Sequence, residues 1–440
     1  VKAFSFNDDF TVSEVPITQF IRNEPADIYE VNTSYGKKVR VTAGHNFFCL
    51  KNGVVCCKPL SELEVGEAIL MPRKIQREAE ATFLSGYKNF VQNLTFGEMS
   101  DLFILGDPLR DLVRENEKMI RGRDKNNETK NYRKCVEKCG LPLDILCRTN
   151  YMPSLAELKQ LRIISWHGFE DTPEIPLYYE FTPELGEWLG LLLSEGCYSE
   201  PNKISFSNND DLLHARFADL SKGIFGINII PRRENNSSII SKSVIPIKAI
   251  FSLHGTRSNK SVPDFMYDAP KECIEGFIRG YHAGDGKKSE MKMTTISEGI
   301  LRFLRYAFLI LGVVPSVYVS NRSNPKWSTS YDVGINSITK FYDLAKGGIE
   351  NYNYECGELI TAIINEIGGV TGGKESVQLW GYGNARRGKS LSRGTIERFI
   401  NDAKVRIDDN AEYVIMKEYG KSHFTPKNIS ELLNISTKAA

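Results

Sequence analysis

Glu195 and Asp285 hold the same place in two related stretches of the chain, Trp188 to Gly196 and Ile278 to Gly286. Each stretch has a glycine (Gly190, Gly280), then four residues, then the acid, then a second glycine (Gly196, Gly286). A common offset of 90 residues relates the two copies. Two converging carboxylates can hold a divalent cation, and a cation so held can activate water and polarise a phosphodiester. An all-oxygen ligand set suits Mg²⁺, with Mn²⁺ as a substitute. A single copy would read as a packed helix pair capped by glycine. Two copies at matched positions read as a site.

The elements that must position these acids follow from the glycines. Gly190 and Gly280 in helix interiors cost about 1 kcal/mol each relative to alanine. Their use there implies two helices packed side by side at very short range, related by a pseudo-twofold axis. Gly196 and Gly286 are expected to end the helices in the left-handed conformation. The two acids then meet at helix C-termini, where each repels the other and the helix dipole, a cost a cation offsets. Beyond each motif the same order recurs. In the first half, the strand-like Ile204 to Ser207 precedes a helix around 210–224. In the second, Met291 to Thr294 precedes a helix from Ser297 to Leu311, stopped at Gly312. Val317 to Val319 and Tyr331 to Ile335 read as a hairpin. The fold class is therefore α+β and multidomain, with residues 178–350 built twice on a roughly α-β-β-α-like plan.

Flanking segments differ in character. Residues 1–75 alternate in short runs around turns and read as an all-β module. Residues 76–177, with Leu155, Leu158, Leu161 and Ile164 at helical spacing, read as an inserted helical region. Residues 351–440 read as a helical accessory region, with 425–437 resembling the first part of a helix-turn-helix. Nine cysteines at irregular spacing form no disulfide framework, and Cys135, Cys139 and Cys147 lack a fourth ligand at zinc-like spacing. That pattern, with no apolar run long enough to span a bilayer, suggests an intracellular protein that is not in the membrane. The net charge of +1 gives no overall pull toward nucleic acid, so phosphate contacts must come from local patches. Candidates are Arg232, Arg233 and Lys242 between the motifs, Lys287 and Lys288 just after the second, Arg322, and the run Arg386, Arg387 and Lys389. Lys203, Ser205 and Ser207 accompany the first strand of the repeat.

The run from Phe277 to Tyr281 and the Gly284-Asp285-Gly286 triplet resemble the LAGLIDADG (dodecapeptide, DOD) homing endonucleases in their single-chain, two-motif form. The first copy departs by carrying Glu195 where aspartate is commoner. The resemblance implies two αββαββα-like halves forming a saddle of two four-stranded sheets on a double-stranded DNA target. It also implies a monomer with internal pseudo-twofold symmetry, and acids that bind Mg²⁺ and cut both strands. Lys260-Ser261-Val262-Pro263 resembles the family's Lys-x-(Ile/Val)-Pro element, whose lysine partners the active site. Lys326 would be its counterpart in the second half. The alternative function is a DNA-binding protein of the same fold that does not cleave.

Upstream, Val41-Thr42-Ala43-Gly44-His45 resembles the Thr-x-x-His block of intein (Hint) splicing domains, and Leu60 to Glu67 resembles the segment after it. That resemblance implies that Thr42 and His45 assist an N-to-S acyl shift in a self-splicing parent. The chain begins at Val1 rather than a nucleophile and ends at Ala440 without a terminal His-Asn. It therefore reads as an intein piece truncated at both splicing ends, which by itself should not splice.

Overall fold

The computed structural model describes residues 2–335, except 8–11, 34–36, 52–53, 66, 68, 70–74, 76, 78–80, 88–92, 123–127, 166–172, 230, 233–236, 288–291, 312–314 and 321–327. Beyond these it describes Leu391–Ser392 and His423–Phe424. At the N-terminus are three antiparallel hairpins, Lys2–Phe6 with Val12–Pro16, Ile28–Asn32 with Lys38–Thr42, and Asn46–Lys51 with Val54–Pro59. This agrees with the alternation in the sequence.

The next segment departs from expectation. Residues 76–177 carry short helices, but also a four-stranded antiparallel sheet of Ile175–Pro176, Arg162–Ser165, Leu102–Leu105 and Gly140–Pro142. The helical spacing through Leu155 to Ile164 gives one helical turn, Leu155–Leu158, and then a strand. Leu102–Leu105 is buried on both faces, so it shows no alternation to mark it as a strand.

The duplicated domain follows. Its first half runs α1 (Pro183–Glu195), β1 (Gly196–Cys197), β2 (Ile204–Ser207), α2 (Asp211–Phe225), β3 (Pro231–Arg232), β4 (Ser237–Ile240) and α3 (Val244–Ile250). The second runs α4 (Lys271–Asp285), β5 (Gly286–Lys287), β6 (Lys292–Thr295), α5 (Glu298–Ile310), β7 (Pro315–Ser320) and β8 (Ser330–Ile335). The strand orders are β1-β2-β4-β3 and β5-β6-β8-β7, the same topology twice. Local chemistry sets the ends. Thr182 caps α1 by accepting from the Leu185 N–H at 3.2 Å, with Pro183 in the first turn. Asp210 and Ser297 cap α2 and α5 in the same way. Gly226, at φ 71°, ends α2 in the left-handed conformation.

The core lies between the helix pair and the sheets. Every residue from Leu185 to Leu193 is buried, so α1 is surrounded on all sides. Trp188 packs against Phe217, Phe225 and Phe251, and its indole N–H donates to Ser221 Oγ at 3.0 Å. In the second half Phe277 stacks on Tyr281 and meets Phe303 edge-on. Alternation in β2 turns Ile204 and Phe206 into this core and leaves Ser205 and Ser207 on the other face. In β6, Met293 and Thr295 point inward.

Candidate active site

The two motif helices meet backbone to backbone. A Cβ placed on Gly186 would overlap the Cys273 carbonyl, and one on Gly190 the Phe277 carbonyl. From the other helix, a Cβ on Gly276 would overlap the Pro183 carbonyl, and one on Gly280 the Glu187 carbonyl. The glycines are needed for close approach, as their mid-helix placement suggests. The terminal glycines behave differently from expectation. Gly196 (φ −87°, ψ 155°) and Gly286 (φ −90°, ψ 145°) are extended, not left-handed. Each helix passes directly into a strand of its own sheet. A side chain at Gly196 would strike Leu192, and one at Gly286 would strike His282, so here too clearance selects glycine.

Glu195 and Asp285 are the last residues of α1 and α4. A Cβ on Gly284 would lie 2.8 Å from Glu195 Cγ, so the glutamate lies against the α4 backbone one residue before Asp285. Burial, and then the charge of Glu195, push the Asp285 carboxyl up to about 6; the Tyr281 hydroxyl and Lys260 pull it partly back. The tyrosine itself is held protonated by burial. Asp285 opens on a cavity of about 520 Å³ that is also lined by Lys260, Cys197, Tyr198, Thr294 and Arg257.

Lys260 projects toward the first motif. Its ammonium donates to the Leu193 carbonyl at 3.1 Å and the Gly196 carbonyl at 2.7 Å, covering the end of α1. It lies 5.7 Å from the Tyr198 ring centre. Burial lowers its pKa, while Asp285, Cys197 and Glu195 oppose that shift. Its backbone carbonyl accepts from Ser297, the cap of α5. One lysine therefore ties the end of the first motif helix to the second half.

On the other side, Asn208 Nδ2 donates to Glu195 Oε1 at 2.8 Å. Sequence reasoning missed this residue. Its only mark is a polar run ahead of α2, a pattern that also fits an ordinary turn. Also missed was the ion pair that joins α1 to α2 and α4. Glu187 receives two bonds from Arg216, at 2.8 and 2.7 Å, and lies 3.8 Å from Arg279 on α4.

The other residues of interest are spread around this centre. Ser205 and Ser207 lie on the outer face of the first sheet. Lys203 pairs with Glu200 at 3.1 Å, and Lys242 is exposed. Arg232 stands in β3 opposite Ser237, and Lys287 in β5 opposite Lys292. Arg233, Lys288, Arg322, Lys326, Arg386, Arg387 and Lys389 lie outside the described residues, as does Gly312. So does most of the region read as a helical tail. The pairing described there is antiparallel, Leu391–Ser392 with His423–Phe424. Far along the chain from the acids, Thr42 ends its strand and His45 sits three residues on, both exposed, with the His45 N–H donating to the Thr42 carbonyl at 3.1 Å.

Among the described residues, no group of three or more histidine, cysteine, aspartate or glutamate side chains gathers as a metal cluster. The paired carboxylates are oxygen donors held together against their own repulsion, a setting that fits a hard divalent cation with room for water or phosphate ligands. No described helix is long and apolar enough to cross a membrane.

Two copies of one αββαββ topology, joined by a glycine-lined helix pair that ends in two acids, define a duplicated single-chain domain. A family model for the intein splicing domain matches residues 2–355, and the chain belongs to that family. It is 26% identical over 284 residues to a replication factor C small subunit of Methanocaldococcus jannaschii, covering 60% of this chain and 15% of that protein. It is 24% identical over 378 residues to a DNA polymerase of Thermococcus aggregans, covering 71% and 20%. The chain thus spans about a fifth or less of the length of these relatives. Among solved structures, the homing endonuclease I-DmoI in complex with DNA and Mn aligns with a TM-score of 0.30 at 12% identity, covering 39% of this chain and 99% of that one.

Proposed function

We propose that this chain is an intein with an embedded, site-specific double-strand DNA endonuclease that uses Mg²⁺ (or Mn²⁺) to hydrolyse phosphodiesters. The observation that carries this is the meeting of Glu195 and Asp285 at the ends of two helices packed backbone to backbone, each acid leading into its own four-stranded sheet. The acids would hold the cation. When bound, it lowers the pKa of a coordinated water and neutralises phosphate charge. Lys260, a partly buried ammonium beside the carboxylates, supplies positive charge toward a phosphate at the cavity mouth. The outer faces of the two sheets, bearing Ser205, Ser207, Thr294 and Asp332, offer polar groups to the DNA grooves. Both acids belong to one chain, so a monomer suffices. In the splicing parent, Thr42 and His45 would assist the acyl shift.

Purified protein with Mg²⁺ should linearise a plasmid carrying the uninterrupted insertion site. Asp285→Asn and Glu195→Gln should each abolish cleavage while keeping the gel shift. Cleavage by Asp285→Asn at the parent rate would sink the metal assignment. A gel shift with no nicking by the parent in either Mg²⁺ or Mn²⁺ would instead mark a binding protein of this fold.

A further inference from the structure

The two acids are held in different ways, although their surroundings are built on the same plan. In the first half β2 ends at Ser207, and Asn208 opens a turn into the cap residue Asp210. Asn208 Oδ1 accepts from the Asp210 N–H at 2.9 Å. In the second half Thr295 ends β6 and makes the same turn, its Oγ1 accepting from the N–H of the cap residue Ser297 at 3.1 Å. Asn208 and Thr295 are therefore topological equivalents. Asparagine has an amide left over after making the turn. Because Oδ1 is committed to Asp210, the NH₂ must face Glu195, and it donates there at 2.8 Å. Threonine has no amide; its remaining O–H goes to Tyr281, and Asp285 is met by Tyr281 and Lys260 instead.

A further layer fixes Asn208 itself. Its backbone carbonyl lies 2.9 Å from His214 Nε2, and His214 Nδ1 lies 2.8 Å from Ser238 Oγ. A carbonyl can only accept, so Nε2 carries a proton and donates to it, while Nδ1 pairs with the serine hydroxyl. His214 is 4% exposed and Ser238 fully buried, so both ring nitrogens are satisfied inside the fold. A chain of bonds thus runs from the centre of the first sheet to one oxygen of Glu195.

We propose that Asn208, oriented by His214 and Ser238, is the positioning residue for Glu195, and that this is how the first half uses a glutamate where the second uses an aspartate. Glutamate has one more rotatable bond than aspartate and loses more freedom when it holds a cation. Tying down Oε1 before the cation arrives removes that cost and leaves Oε2 to bind. This rests on the reading of Glu195 as a cation ligand.

The test is Asn208→Ser in the full chain, with Asn208→Thr, which copies Thr295, as a second variant should serine fold poorly. Either keeps a hydroxyl to accept from Asp210 and loses the amide. Mn²⁺ binding to the protein alone, followed by electron paramagnetic resonance, should weaken about 10-fold, and kcat for plasmid cleavage should fall about 10- to 100-fold, as for other partners of metal ligands. KM for DNA and the melting temperature should hold. Unchanged Mn²⁺ affinity and kcat would overturn the proposal and leave Asn208 as a turn residue only. So would a fall in melting temperature with Mn²⁺ affinity intact. Glu195→Gln run alongside separates the two ideas. If it binds Mn²⁺ like the parent, the ligand reading itself has failed. If it loses Mn²⁺ while Asn208→Ser keeps it, only the positioning role has failed.

Discussion

Asp285 carries a charge the fold does not favour. Its carboxyl is raised to about 6 by burial and by Glu195, against a free value of 3.8. Between those values the folded state binds more protons than the unfolded state, so stability falls as pH rises through the window from about 4 to 6. Below about pH 4 both states are protonated and the penalty vanishes; above about 6 it is fully present. Asp285→Asn should therefore stabilise the metal-free protein at pH 7.5 by about 1–3 kcal/mol, and the gain should disappear near pH 4. Urea unfolding of both proteins at the two pH values checks this. A variant no more stable than the parent at pH 7.5 would mean the carboxylate is not under strain. Cation binding should also weaken as pH drops below about 6, since the proton and the cation compete for the same oxygens.

At the scale of the element, the glycines separate into those that clear space and those that do not. A Cβ on Gly190 meets the Phe277 carbonyl, which is backbone and cannot step aside. Gly223, in α2, faces open space. Gly190→Ala should destabilise by about 1–3 kcal/mol through overpacking, despite alanine's better helix propensity. Gly223→Ala should stabilise by about 0.5–1 kcal/mol, since nothing opposes the propensity gain. Thermal unfolding of the pair reads the contrast directly, and equal effects would remove the close-packing argument. The helix pair was legible because mid-helix glycine in a repeated pattern has few other uses. The conformation of Gly196 and Gly286 was not, because glycine permits both the left-handed cap and the tight passage into a strand. The sheet of residues 102–176 stayed hidden for another reason: strands of two to four residues are too short for either period to declare itself. Asn208 was invisible because its partner, Glu195, is brought to it only by the tertiary fold.

At the scale of the whole molecule, the N-terminal hairpins and the duplicated domain are joined by more than a covalent link. Along the connecting segment, Ile75 N–H donates to the Leu309 carbonyl at 3.0 Å and Ala81 N–H to the Asp268 carbonyl at 3.0 Å. Between them the Arg77 guanidinium donates to the Tyr267 carbonyl and, at 2.5 Å, to the Ala269 carbonyl. Tyr306 on α5 donates to the same Tyr267 carbonyl at 2.7 Å. Apart from Leu309, on α5, these acceptors belong to the turn that leads into α4, the helix that ends in Asp285. A charged donor on buried carbonyls contributes about 1.5–3 kcal/mol. Arg77→Ala should therefore lower the unfolding temperature of the duplicated domain by several degrees, at roughly 2–4 °C per kcal/mol for a domain of this size. It should also speed proteolysis next to position 77, because this strap would lose its hold on the Tyr267 and Ala269 carbonyls. Arg77→Lys should recover little, since one ammonium cannot span two carbonyls as a planar guanidinium does. Calorimetry with limited proteolysis distinguishes this from independent modules. If Arg77→Ala leaves both the transition and the cleavage rate unchanged, the strap is a passive connector, and the entry to α4 is set by the duplicated domain alone.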